Sequence, residues 1–256
     1  APSAHARAPA MTSTTPAPTG ALRTVLLWLF ASTVAFTLAM HGLSGALIDG
    51  VYIPADHDSF YHARRILAAL AAPWQLVQFD PRIHAPEGSW VTWPWAYDTL
   101  MAALARSALL FMPAQQPLAV LDTIAPLAVT LSTALVLGCA RQLEMRFALQ
   151  VAAVMSFALA ALTRDLHRVG MLDHHYVAHI FVLATLYCGL RWCRQLNDTG
   201  AARWLGVVLG LAPAFHNGDF ILQVPVLATL AVLWWRHALP PRAAMQFAGA
   251  LLFTTA

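Results

Sequence analysis

The chain has 256 residues, of which 59% are hydrophobic and only 11% charged, whereas a soluble domain carries roughly a quarter charged residues. With a mean hydropathy of +0.61 it cannot cover itself with polar surface in water, so a lipid bilayer is its solvent. The formal charge of +3 comes from scattered arginines with no lysine anywhere, which excludes a basic tail or patch for nucleic acid.

Residues 1–22 read as a leader rich in Pro, Ala, Thr and Ser, a composition that predicts disorder. The apolar run from Arg23 to Leu47 is too long for a signal-peptide core and lacks a clear cleavage box. It is expected to be an uncleaved first span. A long first loop follows from Asp49 to Pro117, too polar to cross, with Asp56, Asp58, Arg64, Arg65, Asp80, Arg82, Glu87 and Asp98. Within it, residues 99–112 are apolar but too few to span, and they include Arg106. They predict an amphipathic helix lying at the interface, beside the headgroup-belt aromatics Trp90, Trp93, Trp95 and Tyr97.

Further spans are predicted at 118–140, 147–163, 174–193, 204–217 and 220–236, with a seventh beginning near Ala243. The sequence stops inside that apolar run at Ala256, so a fragment is expected. Cys139, Cys188 and Cys193 lack the spacing of a disulfide framework or zinc site and read as small packing residues. Arg7, Arg23, Arg141, Arg146, Arg191, Arg194, Arg203, Arg236 and Arg242 flank alternate span ends, which marks those ends as cytoplasmic. Polar segments in the first loop, at 164–173 and at 215–219 then share the opposite face.

Charged residues at membrane depth cost about 2.5–3.5 kcal/mol each by insertion scales, so they line sites rather than face lipid. The first cluster is Asp56-His57-Asp58-Ser59-Phe60-Tyr61-His62-Ala63-Arg64-Arg65. Its carboxylates suit a divalent cation and its arginines suit phosphate oxygens; the ordinary alternative is a solvated juxtamembrane loop. The second is Gly170-Met171-Leu172-Asp173-His174-His175, at the start of the fourth span. A helix start beside a carboxylate and imidazoles suits a metal or an anion, while Asp173 is equally a candidate N-cap. His175 and His179 have the spacing of a zinc pair, but the general-base Glu of a metalloprotease helix is missing. The third, Phe215-His216-Asn217-Gly218-Asp219, is either part of the same site or a turn closing a helical hairpin. Asp165, His167 and Arg168 carry the same two readings.

The run Asp58-Ser59-Phe60-Tyr61-His62-Ala63-Arg64 resembles the first-loop Asp motif of archaeal and bacterial oligosaccharyltransferase catalytic subunits. Phe79-Asp80-Pro81, Ala85-Pro86-Glu87-Gly88 and Trp93-Pro94-Trp95-Ala96-Tyr97-Asp98 are similar to the rest of that loop. Gly170 to His175 is similar to the family's second acidic motif, in its Asp-His-His form. The resemblance implies an all-α polytopic membrane protein, with residues 23–256 forming a transmembrane domain of the GT-C superfamily that has a long first external loop. It implies transfer of an oligosaccharide from a polyprenyl-(pyro)phosphate donor to asparagine of an acceptor polypeptide. The setting would be a prokaryotic cell membrane, with the site on the extracytoplasmic face. Mn²⁺ or Mg²⁺ would be held by Asp58, Asp173 and His175, with Asp58 and Asp56 catalytic. His62, Arg64, Arg65, His174, His216 and Asn217 would contact substrate. Relatives often carry Glu where this chain has Ala178, and their Trp-Trp-Asp motif falls beyond residue 256. Two rivals stay open: another GT-C transferase acting on a hydroxyl or non-protein acceptor, and a secondary transporter or metal permease with ionisable groups at mid-span.

Overall fold

The computed structural model describes residues 18–49, 51–72, 78–112 and 116–255, so most of the expected leader lies outside the described residues. Helix α1 (Pro18–Ala39) starts within the last residues of that leader. It runs through a 3-10 turn at Met40–Gly42 into α2 (Leu43–Ala46), then into a hairpin of β1 (Leu47–Ile48) and β2 (Val51–Tyr52). The first span thus ends near Gly42 instead of Leu47. Glycines at 42 and 45 weaken the helix, and Leu47 is drawn into extended pairing with Tyr52.

The long first loop is itself folded. It contains α3 (His57–Ala71), the paired strands β3 (Phe79–Asp80) and β4 (Ser89–Trp90), and α4 (Ala96–Leu109). Helix α4 starts three residues before the predicted 99–112 segment, and it buries Tyr97, Met101, Ala102 and Ala105 against α3. Helices α5 (Pro117–Leu121) and α6 (Ile124–Gln142) form one nearly continuous crossing. Next come α7 (Phe147–Leu159), α8 (Ala161–Leu166) and α9 (His175–Arg194). The described residues end with α10 (Thr199–Phe215), a 3-10 turn at Asn217–Leu222, α11 (Gln223–Trp235) and α12 (Pro241–Thr255).

The chain is an all-α polytopic membrane protein. Among the described residues, four stretches, Gly20–Gly42, Pro117–Gln142, His175–Arg194 and Asn217–Trp235, are long and apolar enough to cross a membrane. The predicted span at 147–163 is interrupted, because the backbone extends at Ala160 with ψ 135° before α8 resumes. Neither Pro nor Gly marks that break. Helix α10 begins ahead of its predicted start because the Asp198 carboxylate accepts the Ala201 N–H at 2.9 Å, a side-chain N-cap.

Inside lipid, helices gain little from hydrophobicity and associate through close packing and interhelical hydrogen bonds. Helix α1 shows both devices. Ala31, Ala35 and Ala39 recur every fourth residue, are at most 2% exposed, and make a smooth face. Beside it Ser32 Oγ meets Thr133 Oγ1 at 2.7 Å, and Trp28 Nε1 donates to the Thr130 carbonyl at 2.9 Å. Helix α12 packs along α10, where Gly206 lies so near that an added Cβ would overlap the Phe247 carbonyl oxygen. Pro213 has no N–H for the carbonyl four residues earlier. That carbonyl, on Leu209, instead accepts from Gln223 Nε2 at 3.1 Å, which ties α10 to α11. A core of Ile66, Tyr97, Met101, Leu121, Leu172 and Tyr176 joins α3, α4, α5 and α9 beneath the polar end of the molecule. Cys188 packs between α9 and α10, whereas Cys193 is exposed; all three cysteines are free.

Two outcomes follow from this packing. Gly206→Val should separate α10 from α12 and lower stability by about 1–3 kcal/mol in detergent unfolding. The second concerns His167, which is fully buried, donates from Nδ1 to the Thr163 carbonyl at 2.9 Å and contacts Ser132 Oγ at 3.1 Å. Burial pushes its pKa down to about 4, against a smaller opposing effect of the Thr163 carbonyl. The unfolded chain therefore takes up this proton first, and stability should fall as pH drops from about 6.5 toward 4, by up to about 3 kcal/mol. Thermal unfolding across that interval reads the loss, and His167→Gln should shrink it.

Candidate functional site

The polar end is assembled by lacing two distant segments together. Gly170 has φ +81°, a conformation that suits glycine, and a Cβ there would sit 3.1 Å from the Ile53 carbonyl. This close passage lets the Gly170 carbonyl accept Ala55 N–H at 2.8 Å, while Ser59 Oγ accepts Leu172 N–H at 3.1 Å. Arg168 Nη2 donates to the Ala55 carbonyl at 3.2 Å and pairs with Asp56 at 3.3 Å. The third polar segment joins through Asn217 Nδ2, which donates to the Thr92 carbonyl at 2.6 Å.

An open cleft of about 200 Å³ results, lined by Asp58, Trp93, Asp173, His174, His175 and His216 among others. Asp58 lies exposed in the first turn of α3, where the positive helix end favours a carboxylate. Asp173 is 3% exposed and lies two residues before α9, ahead of the N-cap His174; its Oδ1 accepts the His174 N–H at 2.6 Å and its Oδ2 lies 3.2 Å from His175 Nε2. Burial opposes the charge on Asp173. The hydrogen bond it accepts from His174, together with the other imidazoles around it, outweighs that effect and holds the carboxyl below its usual range.

Behind the cleft runs a buried relay. His62, 1% exposed, donates from Nδ1 to Asp98 Oδ1 at 2.6 Å. Its Nε2 is then the acceptor for His174 Nδ1 at 2.8 Å, and that same nitrogen lies 2.8 Å from Asp173 Oδ1. Two acceptors on one side require the proton on His174 Nδ1, which leaves Nε2 as the basic nitrogen available to a ligand. Asp98 also pairs with Arg65 Nε at 2.9 Å, so the relay is anchored by a buried ion pair.

The structure sorts the sequence candidates into groups. Asp58, Asp173, His174, His175, His216 and Asn217 line the cleft. Asp56 does not: it caps α3 by accepting Ser59 N–H at 2.8 Å, and its other oxygen faces Arg168. Arg64, half-buried, pairs with Asp80, and Arg65 is held inward by Asp98 and the Pro94 carbonyl. Asp165 is exposed beside Arg164. His179 stacks near His167 and Phe157 rather than beside His175. Sequence reading named Asp98 and Asp219 but assigned neither a place in the site; Asp219 lies 3.1 Å from His216 Nδ1. Asp98 shares the helical spacing of Met101, Ala102 and Ala105, a signal that places it on the buried face of α4.

Two tight donor groups form among the described residues, His174 with His175 and His216, and His62 with Asp173 and His174, each within 4.8 Å. Asp58 faces the same cleft outside both groups. Two ligands about 2.1 Å from one ion, at tetrahedral or octahedral angles, lie about 3.0–3.4 Å apart. The 3.2 Å between Asp173 and His175 matches that spacing as well as that of a direct hydrogen bond, so this pair is compatible with two ligands of one divalent cation.

No protein-family model matches the chain, and no curated protein matches it by sequence. Solved structures do match. The archaeal oligosaccharyltransferase AglB from Archaeoglobus fulgidus, in complex with an inhibitory peptide and a dolichol-phosphate, aligns with TM-score 0.78 and 15% identity over 93% of this chain. The enzyme from the same organism in complex with Zn and sulfate gives 0.73 and 15% over 89%. The form tethered to an acceptor peptide containing the NVT sequon gives 0.69 and 18% over 80%. This chain shares the fold of the part of those enzymes to which it aligns, and it spans 29%, 30% and 25% of those chains, respectively.

Removing the relay's anchor tests its role. Asp98→Ala leaves Arg65 buried without a carboxylate and should cost about 3–5 kcal/mol of stability. The double variant Asp98→Ala/Arg65→Ala should recover part of that loss in detergent unfolding, which reports their coupling.

Proposed function

We propose that this chain forms the membrane-embedded part of a metal-dependent oligosaccharyltransferase, which transfers an oligosaccharide from a polyprenyl-(pyro)phosphate lipid to asparagine of an acceptor polypeptide. The observation that carries the reading is the Asp58–Asp173–His175 cleft, set on a fold shared with enzymes captured with dolichol-phosphate and with acceptor peptide. The setting is a prokaryotic cell membrane with the cleft on the extracytoplasmic side, as the arginines at the opposite helix ends support.

Asp58, Asp173 and His175 hold the cation, with His174 and His216 as neighbouring donors. Imidazole-rich ligation favours Mn²⁺ over Mg²⁺, and a structural neighbour was solved in complex with Zn and sulfate. When bound, the cation offsets charge developing on the leaving phosphate. Asp58, exposed at the cleft, is placed to accept a hydrogen bond from the acceptor amide. Asp56 contributes by fixing the first turn of α3 and thus the position of Asp58. His62 acts through His174, and Arg64, His216 and Asn217 remain the side chains offered to donor phosphate and sugar. Arg65 serves the same end indirectly, by holding Asp98.

The test uses the complete enzyme with lipid-linked oligosaccharide and an Asn-X-Thr peptide. Asp58→Ala should lower transfer by on the order of 100-fold or more while leaving insertion and unfolding temperature unchanged. His175→Ala should raise the Mn²⁺ needed for half-activity by about 10- to 100-fold, with the same weakening in direct Mn²⁺ binding followed by electron paramagnetic resonance. Undiminished transfer by Asp58→Ala, or by the parent enzyme in excess chelator, defeats the proposal.

A further inference from the structure

At the other end of α9, about 28 Å from the cleft along its 20 residues, a second and larger pocket opens. It has a volume of about 660 Å³ and lies between the last turns of α6 and α9, lined by Arg141, Gln142, Tyr187, Arg191, Arg194 and Asp198. Gly138 hollows it: a side chain there would come within 2.9 Å of the Tyr187 ring, which instead lies flat against α6. Three guanidinium groups meet only two carboxylates. Arg191 pairs with Asp198 at 2.9 Å and Arg194 pairs with Glu144, while Arg141 has no carboxylate partner among the described residues.

We infer that this pocket is a headgroup site for an anionic phospholipid. Charge selects the ligand class, because an excess of planar guanidinium groups over carboxylates matches phosphate oxygens. Location selects lipid over a soluble anion. The pocket sits where two membrane-spanning helices end, and Leu143, 53% exposed and next in the chain to the lining residue Gln142, offers apolar surface for acyl chains. Basic pockets between helix ends are the form such recognition takes. Arg194 Nη1 also donates to the Gln142 carbonyl at 2.7 Å, so an occupant bridging Arg141 and Arg194 would brace α9 from the end opposite the proposed chemistry.

Native mass spectrometry of the purified chain, titrated with phosphatidylglycerol and separately with phosphatidylcholine, provides the test. Phosphatidylglycerol should be retained about tenfold better, and Arg141→Gln/Arg194→Gln should remove that preference while circular dichroism stays unchanged. Arg146→Gln, on the same face outside the pocket, should keep it. Equal retention of both lipids, or loss of the preference in Arg146→Gln as complete as in the double variant, overturns the site. So does its abolition by millimolar inorganic phosphate, which would mark a soluble-anion pocket. If the double variant unfolds, Arg141→Gln alone must weaken the preference for the inference to stand.

Discussion

Everything at the polar end depends on the backbone lacing between residues 55–59 and 168–172. These segments lie about 113 residues apart at their contacts, yet three hydrogen bonds and an ion pair register them to within a residue. Gly170 is the permissive element, since its positive φ and missing side chain let the two strands of chain pass in contact. Once that register is set, the first turn of α3 and the start of α9 must face each other, and Asp58 and Asp173 enter one cleft.

Polar groups so close together need internal compensation, and the relay supplies it. Asp98, His62, His174 and Asp173 set two adjacent imidazoles between two carboxylates, so each buried carboxylate has a donor and each ring a defined tautomer. Arg65 closes the chain at its inner end. The cleft therefore presents a preset arrangement of donors, while the apolar core of Ile66, Tyr97 and Tyr176 keeps the supporting helices from shifting.

Much of this was legible in the sequence, and the exceptions have physical reasons. Hydropathy located the four described stretches that are long enough to cross, and arginine placement grouped the three polar segments, because solvent matching is a property of long windows. Asp56 and Asp58 could not be told apart by composition: one is spent as a cap and the other is exposed, a difference fixed by the helix beginning at His57. Asp98 escaped because its buried face appears only once α4 starts at Ala96, earlier than the apolar run. The break at Ala160 has no local signature, and a tertiary override decided it.

That break shapes the surrounding lipid as well. On the outer surface of α7 and α8 the apolar stretch runs only from Phe147 to Leu162, bounded by exposed Arg146 and Arg164. Even as uninterrupted helix those residues would rise about 24 Å, against a hydrocarbon thickness of about 30 Å. The bilayer along this flank must thin or its lipids must tilt to meet the protein. Such hydrophobic mismatch draws headgroups inward beside the exposed Arg164.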